Sequence, residues 1–242
     1  MAIVKSKLLK QLSQNYPNFL KKDLEKFTDI ILNEIKRSIM KNKIIFVACD
    51  TSNLDQIKKI LKNINTKKLK IIPKFGLQFF YSKNGRKFLE KYKSDFWLDL
   101  KINDIPQTAL SAVDSLKDLK KCKYITVHAN GGLNMLKAIK EKTKQINKNL
   151  KVLGVTVLTS LNNKSLKEIG HTKTIEQLVL KQAGIVKKSG CDGIVCSANE
   201  AKMIRKKYKN FLIITPGIRM PGDDLNDQAR VCLLYTSPSP RD

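Results

Sequence analysis

The feature that most constrains this chain is an alternation that starts near residue 43 and persists to residue 219. Short apolar runs rich in Ile, Val and Leu are separated by longer amphipathic stretches. The runs at 43–50, 69–76, 95–102, 124–129, 152–160, 193–197 and 211–219 read as strands, and those at 54–64, 85–92, 133–145, 175–189 and 200–207 read as helices. Strands that alternate with helices predict parallel pairing through right-handed crossovers. The fold class expected is therefore α/β with parallel strands, seven being visible where a closed (β/α)8 TIM barrel has eight, so that the eighth strand is lacking, preceded by an N-terminal helical hairpin. Pro73 falls inside the second strand, where a bulge or kink is expected because proline cannot donate to a ladder.

Within that frame the stretch Asp99-Leu100-Lys101-Ile102-Asn103-Asp104-Ile105-Pro106-Gln107-Thr108 carries the chemistry. It continues the apolar run Phe96-Trp97-Leu98, so it reads as a strand end entering a loop. Side chains alternate faces along a strand, which puts Asp99 and Lys101 on one face and Leu98, Leu100 and Ile102 on the other. In a parallel barrel, strand ends at the C-terminal mouth aim reactive groups inward while the outer face packs on helices. Asp104 and Thr108 then fall in the loop, with Pro106 stiffening it. His128 lies near a strand end and reads as structural, His171 lies in a polar loop, and Gly131-Gly132 reads as turn geometry.

Composition narrows the function classes. A chain of 242 residues with 42% hydrophobic content can bury one barrel-sized core. The formal net charge of +26 suggests nucleic acid, yet the cations are mostly Lys and spread along the whole chain, which is the pattern of solvated helix faces. Cys49, Cys122, Cys191, Cys196 and Cys232 show no metal-type spacing and read as reduced thiols. No apolar run approaches the ~20 residues that span a bilayer, and Asn and Lys interrupt any signal-peptide pattern. A soluble, cytoplasmic protein without membrane attachment is expected.

The motif Asp-x-Lys-x-x-Asp-Ile-Pro-x-Thr at 99–108 also carries a resemblance. With Asp50 after Ile44-Ile45-Phe46-Val47-Ala48-Cys49, Lys74 in Pro73-Lys74-Phe75-Gly76, and Val127-His128-Ala129 before Gly131-Gly132, it follows the order of a known family. Leu158-Thr159-Ser160, Asp192-Gly193-Ile194-Val195-Cys196-Ser197, Thr215-Pro216-Gly217-Ile218-Arg219 and Asp227-Gln228 continue that order. From about residue 41 to residue 231 the chain resembles orotidine 5′-phosphate decarboxylases. The resemblance implies decarboxylation of orotidine 5′-phosphate to UMP and CO2 in pyrimidine biosynthesis, with no cofactor and no metal. Lys74, Asp99, Lys101 and Asp104 would form an alternating charge network, with Lys101 as proton donor. Asp50 and Lys74 would hold ribose hydroxyls, Thr159 and Ser160 the pyrimidine, and Arg219 and Gln228 the phosphate end, with Pro216 also binding substrate. The resemblance further implies a homodimer in which Asp104 and Thr108 reach the partner's site.

Two ends depart from the family pattern. Residues 1–39 read as two helices, and Lys5-Ser6-Lys7-Leu8-Leu9 with Lys22-Asp23-Leu24-Glu25-Lys26 resembles the N-terminal helices of HU and integration host factor. The sheet saddle and arms by which that family bends DNA are absent, so DNA binding is not expected. Met40 could itself start a decarboxylase, so a fusion of two reading frames is expected, with domains at 1–39, 40–231 and 232–242. The last of these, ending Ser-Pro-Ser-Pro-Arg-Asp, reads as a non-native disordered tail standing where the resemblance places an eighth strand and its phosphate-gripping Arg. A chain so truncated is expected to fold poorly or to turn over little. Two other activities compete: a Mg²⁺-dependent sugar-phosphate decarboxylase or aldolase of the same barrel group, and a nucleoid DNA-binding module formed by residues 1–39.

Overall fold

A computed structural model of the chain describes residues 44–65, 70–219 and 232–233, together with residues 10, 12–15, 17, 20 and 22–25. The chain divides into two compact units, Met1–Phe46 with Ile64–Ile72, and Val47–Asn63 with Pro73–Asp242. In the first unit residues 12–15 and 22–25 are helical and Leu24 is buried. Most of the expected N-terminal helical hairpin, and with it the likeness to HU, lies outside the described residues.

The elements run β1 (Ile44–Ala48), α1 (Leu54–Asn63), β2 (Lys70–Gly76), α2 (Leu77–Phe80), α3 (Gly85–Lys91), β3 (Phe96–Ile102), α4 (Pro106–Asp114) and β4 (Cys122–His128). A 3-10 turn at Ala129–Gly131 leads into α5 (Gly132–Ile146), followed by β5 (Lys151–Val155), α6 (Asn163–Glu168), α7 (Ile175–Lys188), β6 (Gly193–Val195), α8 (Ala198–Lys207) and β7 (Leu212–Ile214). Strands β1 to β7 form one sheet in sequence order, and every pairing from β2/β3 through β6/β7 is parallel. This is the topology of a (β/α)8 barrel, with seven strands of that barrel among the described residues.

Local sequence explains where the helices start. Pro106 occupies the first turn of α4, where its fixed φ suits a helix and its missing N–H is not needed. Thr174 with Gln177, and Ser197 with Glu200, close capping boxes on α7 and α8. Thr108 therefore sits inside a helix, and the expected loop ends at Ile105. On the outer side of the sheet, Phe75 packs on Phe79 with ring centroids 5.0 Å apart and on Phe96 at 5.9 Å, beneath α2 and α3. Residues of opposite parity, Lys74 on β2 and Trp97 and Asp99 on β3, consequently face the barrel axis.

Several strand boundaries differ from expectation. β5 ends at Val155: the Thr156 N–H makes the last ladder bond, to the Val195 carbonyl at 3.1 Å, and the Thr156 hydroxyl meets the same carbonyl at 3.0 Å. The seventh run breaks at Pro216 and at Gly217, whose φ is +74°, so Ile218–Arg219 becomes a separate strand, β8. β8 pairs in parallel with β9 (Cys232–Leu233), two residues of the tail expected to be without structure. The expected kink at Pro73 is not seen: β2 is continuous there, and its register with β3 begins at Lys74, one residue beyond the proline. The irregularity lies in β3 instead. Between the pairs Leu98↔Ile125 and Ile102↔Val127, β3 takes four residue steps while β4 takes two. Lys101 within this bulge has φ +50°, the one non-glycine residue with positive φ among those described.

Candidate active site

The bulge turns the end of β3 into a row of charges that crosses three strands. Asp50 follows β1, Lys74 lies on β2, and Asp99 and Lys101 lie on β3. The Lys101 ammonium donates to Asp99 Oδ2 at 2.9 Å, and the Lys74 ammonium reaches the same oxygen at 3.3 Å. Lys74 also contacts both oxygens of Asp50 at 3.5 Å. The row reads minus, plus, minus, plus, so it is net neutral. Asp99 is 8% exposed, whereas Asp50 faces solvent. Burial pushes the Asp99 carboxyl up; Lys74, Lys101 and the hydrogen bonds from Lys101 and Thr126 outweigh it, holding the group below the usual carboxylate range.

The left-handed backbone at Lys101 costs roughly 1–3 kcal/mol for a residue with a Cβ, and such conformations persist where surrounding contacts over-determine them. Two contacts do so here. The Lys101 N–H donates to Thr126 Oγ1 at 2.9 Å, and the Lys101 side chain is held by Asp99. Thr126, on β4 and fully buried, donates its own hydroxyl proton to Asp99 Oδ1 at 2.8 Å.

Gly76, at the end of β2, leaves room for Asp50. A Cβ there would stand 2.8 Å from Asp50 Oδ1, closer than van der Waals contact allows. Neither Thr126 nor Gly76 was picked out by spacing or charge. The available signals were a hydroxyl inside the apolar run Tyr124-Ile125-Thr126-Val127 and a glycine at a strand end.

The other expected residues are placed less closely. Asp104 is exposed, and its Oδ1 accepts from the Ile105 N–H at 2.7 Å; among the described residues it makes no ion pair with Lys101. Thr108 is exposed on α4. Thr159 is buried and Ser160 exposed in the turn after β5, and Pro216 is exposed in the turn after β7. Arg219 is placed by its backbone in β8, and Gln228 lies outside the described residues.

His128 ends β4, two residues from Thr126 and so on the same face. Its Nδ1 is buried with no partner among the described residues, and burial followed by the Lys101 charge lowers its pKa from 6.5, leaving it a neutral imidazole. Cys49, Cys122, Cys191 and Cys196 are buried and form no disulfide, and burial pushes Cys49 and Cys191 up to about 11 and Cys122 up to about 12. These thiols are poor nucleophiles. Among the described residues no three His, Cys, Asp or Glu side chains gather to hold a metal, and no helix is long and apolar enough to cross a membrane.

A parallel barrel with an alternating acid–base row across the C-terminal ends of its first three strands belongs to the class of barrel enzymes whose reacting groups line the mouth. Residues 43–234 match the orotidine 5′-phosphate decarboxylase / HUMPS family, and the chain belongs to that family. A Staphylococcus epidermidis protein named orotidine 5′-phosphate decarboxylase is 38% identical over 189 residues, covering 76% of this chain and 80% of its own length. Its namesake from Malacoplasma penetrans is 37% identical over 197 residues, covering 79% of this chain and 84% of its own. The crystal structure of orotidine 5′-phosphate decarboxylase from Lactobacillus acidophilus is similar with a TM-score of 0.67 at 29% identity, covering 83% of this chain and 95% of that one.

Proposed function

We propose that this chain decarboxylates orotidine 5′-phosphate to UMP and CO2. The observation that carries the reading is the Lys101 ammonium held 2.9 Å from a carboxylate at the end of a barrel strand, with Lys74 and Asp50 continuing the row. When the bond between C6 and the carboxylate carbon breaks, its electron pair stays on C6 and neutral CO2 leaves. No ring carbonyl is positioned to spread that charge. A fixed ammonium beside C6 stabilises it, and such preorganised charge is commonly the largest catalytic contribution. Lys101 then transfers a proton to C6, giving UMP.

The remaining assignments follow the same reading. Asp50 and Lys74 bind ribose hydroxyls, Thr159 and Ser160 meet the pyrimidine, Pro216 also binds substrate, and Arg219 and Gln228 meet the phosphate end, whose binding energy helps to order the reacting site. Asp104 completes the charge row from the partner protomer of a homodimer, with Thr108 beside it. Supporting this, Asp104 and Thr108 are exposed around Ile105, itself 67% exposed at the rim. The buried thiols, none of them in a disulfide, fit a cytoplasmic location.

Purified protein incubated with orotidine 5′-phosphate is expected to release UMP, and Lys101→Ala to abolish release at unchanged substrate concentration. UMP formation by Lys101→Ala at the parent rate would sink the proposal. The two-part family description also leaves a Mg²⁺-dependent sugar-phosphate activity to be tested, so the assay is repeated in EDTA. UMP release retained in EDTA supports the decarboxylase, and Mg²⁺-dependent turnover of a sugar phosphate without UMP release supports the rival.

A further inference from the structure

The parallel ladder between β3 and β4 is interrupted from Leu98 to Ile102, and inside that gap the Lys101 N–H has no ladder carbonyl to meet. The Thr126 side chain takes its place. A hydroxyl has one proton to give and two lone pairs to accept with. Here the proton goes to Asp99 Oδ1 at 2.8 Å and a lone pair receives the Lys101 N–H at 2.9 Å. With Oδ1 tied down, Oδ2 is the oxygen left for both ammoniums, at 2.9 and 3.3 Å. Thr126 has no exposed surface, so water does not compete for the two bonds its hydroxyl makes.

We propose that Thr126 is a positioning residue: its hydroxyl clamps the left-handed backbone of Lys101 and sets the rotation of the Asp99 carboxylate, fixing where the Lys101 ammonium points. It touches no substrate. The catalytic half of this proposal rests on the decarboxylase reading; the clamp itself does not.

Thr126→Val keeps the β-branched shape and removes the hydroxyl, while Thr126→Ser keeps the hydroxyl and removes the methyl. Amide hydrogen exchange at Lys101, read against the ladder amide of Ile125, tests the clamp without any turnover. Thr126→Val is expected to speed exchange at Lys101 by about tenfold or more while Ile125 stays protected, and Thr126→Ser to restore the parent rate. In turnover of orotidine 5′-phosphate, Thr126→Val is expected to lower kcat by roughly 10–100-fold with KM within about threefold, as a misplaced reacting group does. The acid limb of its pH profile should also move up, because Asp99 loses a hydrogen bond that favours its ionised form. An equally protected Lys101 amide in Thr126→Val would overturn the clamp. Unchanged kcat and acid limb in Thr126→Val would overturn its catalytic role, as would an equal loss in Thr126→Ser, which would show that the methyl's packing is what matters. If the parent protein released no UMP, the decarboxylase reading would fail while the exchange comparison still decided the clamp.

Discussion

Replacing Asp99 with asparagine removes the carboxylate on which two ammoniums converge. The side chains of Asp99, Lys74 and Lys101 are 11%, 18% and 35% exposed, so the first two are largely shielded and the third is partly wet. Because both nitrogens contact Oδ2, they lie within about 6 Å of each other. At an effective dielectric near 20, two such charges repel by about 3 kcal/mol, which the parent protein offsets through Asp99. Breaking a buried pair costs roughly 3–5 kcal/mol, and the exposure of Lys101, which can turn toward water, lowers the expected loss to about 2–3 kcal/mol. For a domain of this size that is a fall in Tm of about 4–12 °C at pH 7.5. The sign with pH follows from the depressed pKa. Asp99 contributes stability above the ordinary carboxylate range and loses it as pH falls through its lower folded value, so the gap between parent and variant should close in strong acid. A second substitution sharpens the test. Asp99→Asn/Lys101→Met relieves the repulsion, so it should recover about 1–2 kcal/mol relative to Asp99→Asn alone. Urea and thermal unfolding at pH 7.5 and near pH 3 measure all of this. An Asp99→Asn protein as stable as the parent, with additive effects in the double variant, would refute the reasoning.

Gly76→Ala should leave Tm within about 2 °C, because the atom met by the new Cβ is the movable tip of Asp50. The displaced carboxylate should raise KM by about tenfold with a smaller change in kcat, measured by steady-state kinetics. Since the folded pKa of His128 is depressed, the unfolded chain binds more protons below about pH 6.5, and stability should decline as pH drops from 6.5 toward 5. His128→Asn should flatten that slope in urea titrations at a series of pH values. Away from the mouth, Asp192 accepts from the Val152 N–H at 2.8 Å and pairs with Lys140, tying β5 and α5 to the turn before β6. Asp192→Asn should destabilise by about 1–3 kcal/mol in urea unfolding with KM unchanged.

Much of this was legible in the sequence because it depends on periodicity. The helix at Ile175–Lys188 announces itself with Thr174 and Gln177, and the parallel strands announce themselves as apolar runs between helices. What escaped depends on contacts between distant segments. The run at 152–160 has strand-like composition throughout, but its pairing with β6 stops at Val155↔Val195, because β6 itself is only three residues long, which no local pattern records. Pro73 was read as a defect because the register that begins at Lys74 was unknown. The sharing of one face by Asp99 and Lys101 was anticipated from simple alternation, yet the structure achieves it with a bulge and a positive φ. Identity of the charged residues was readable; the device that aligns them was not.

That device bears on how the site can use a lysine at all. On a regular strand Lys101 would follow the ladder, with its backbone N–H spent on a neighbouring carbonyl and its long side chain free to sample many rotamers. The bulge diverts the N–H to Thr126, and Asp99 receives both the ammonium of Lys101 and the hydroxyl of Thr126. Backbone and side-chain tip are thus anchored to the same small group of atoms on β3 and β4. On the proposed reading, the local backbone cost at Lys101 is exchanged for an ammonium that need not reorganise when negative charge develops beside it, which is the condition under which electrostatic stabilisation lowers a barrier. An Asp-x-Lys pair on a regular strand would offer the same charges without that restraint, so the spacing identifies the residues while the bulge gives them their use.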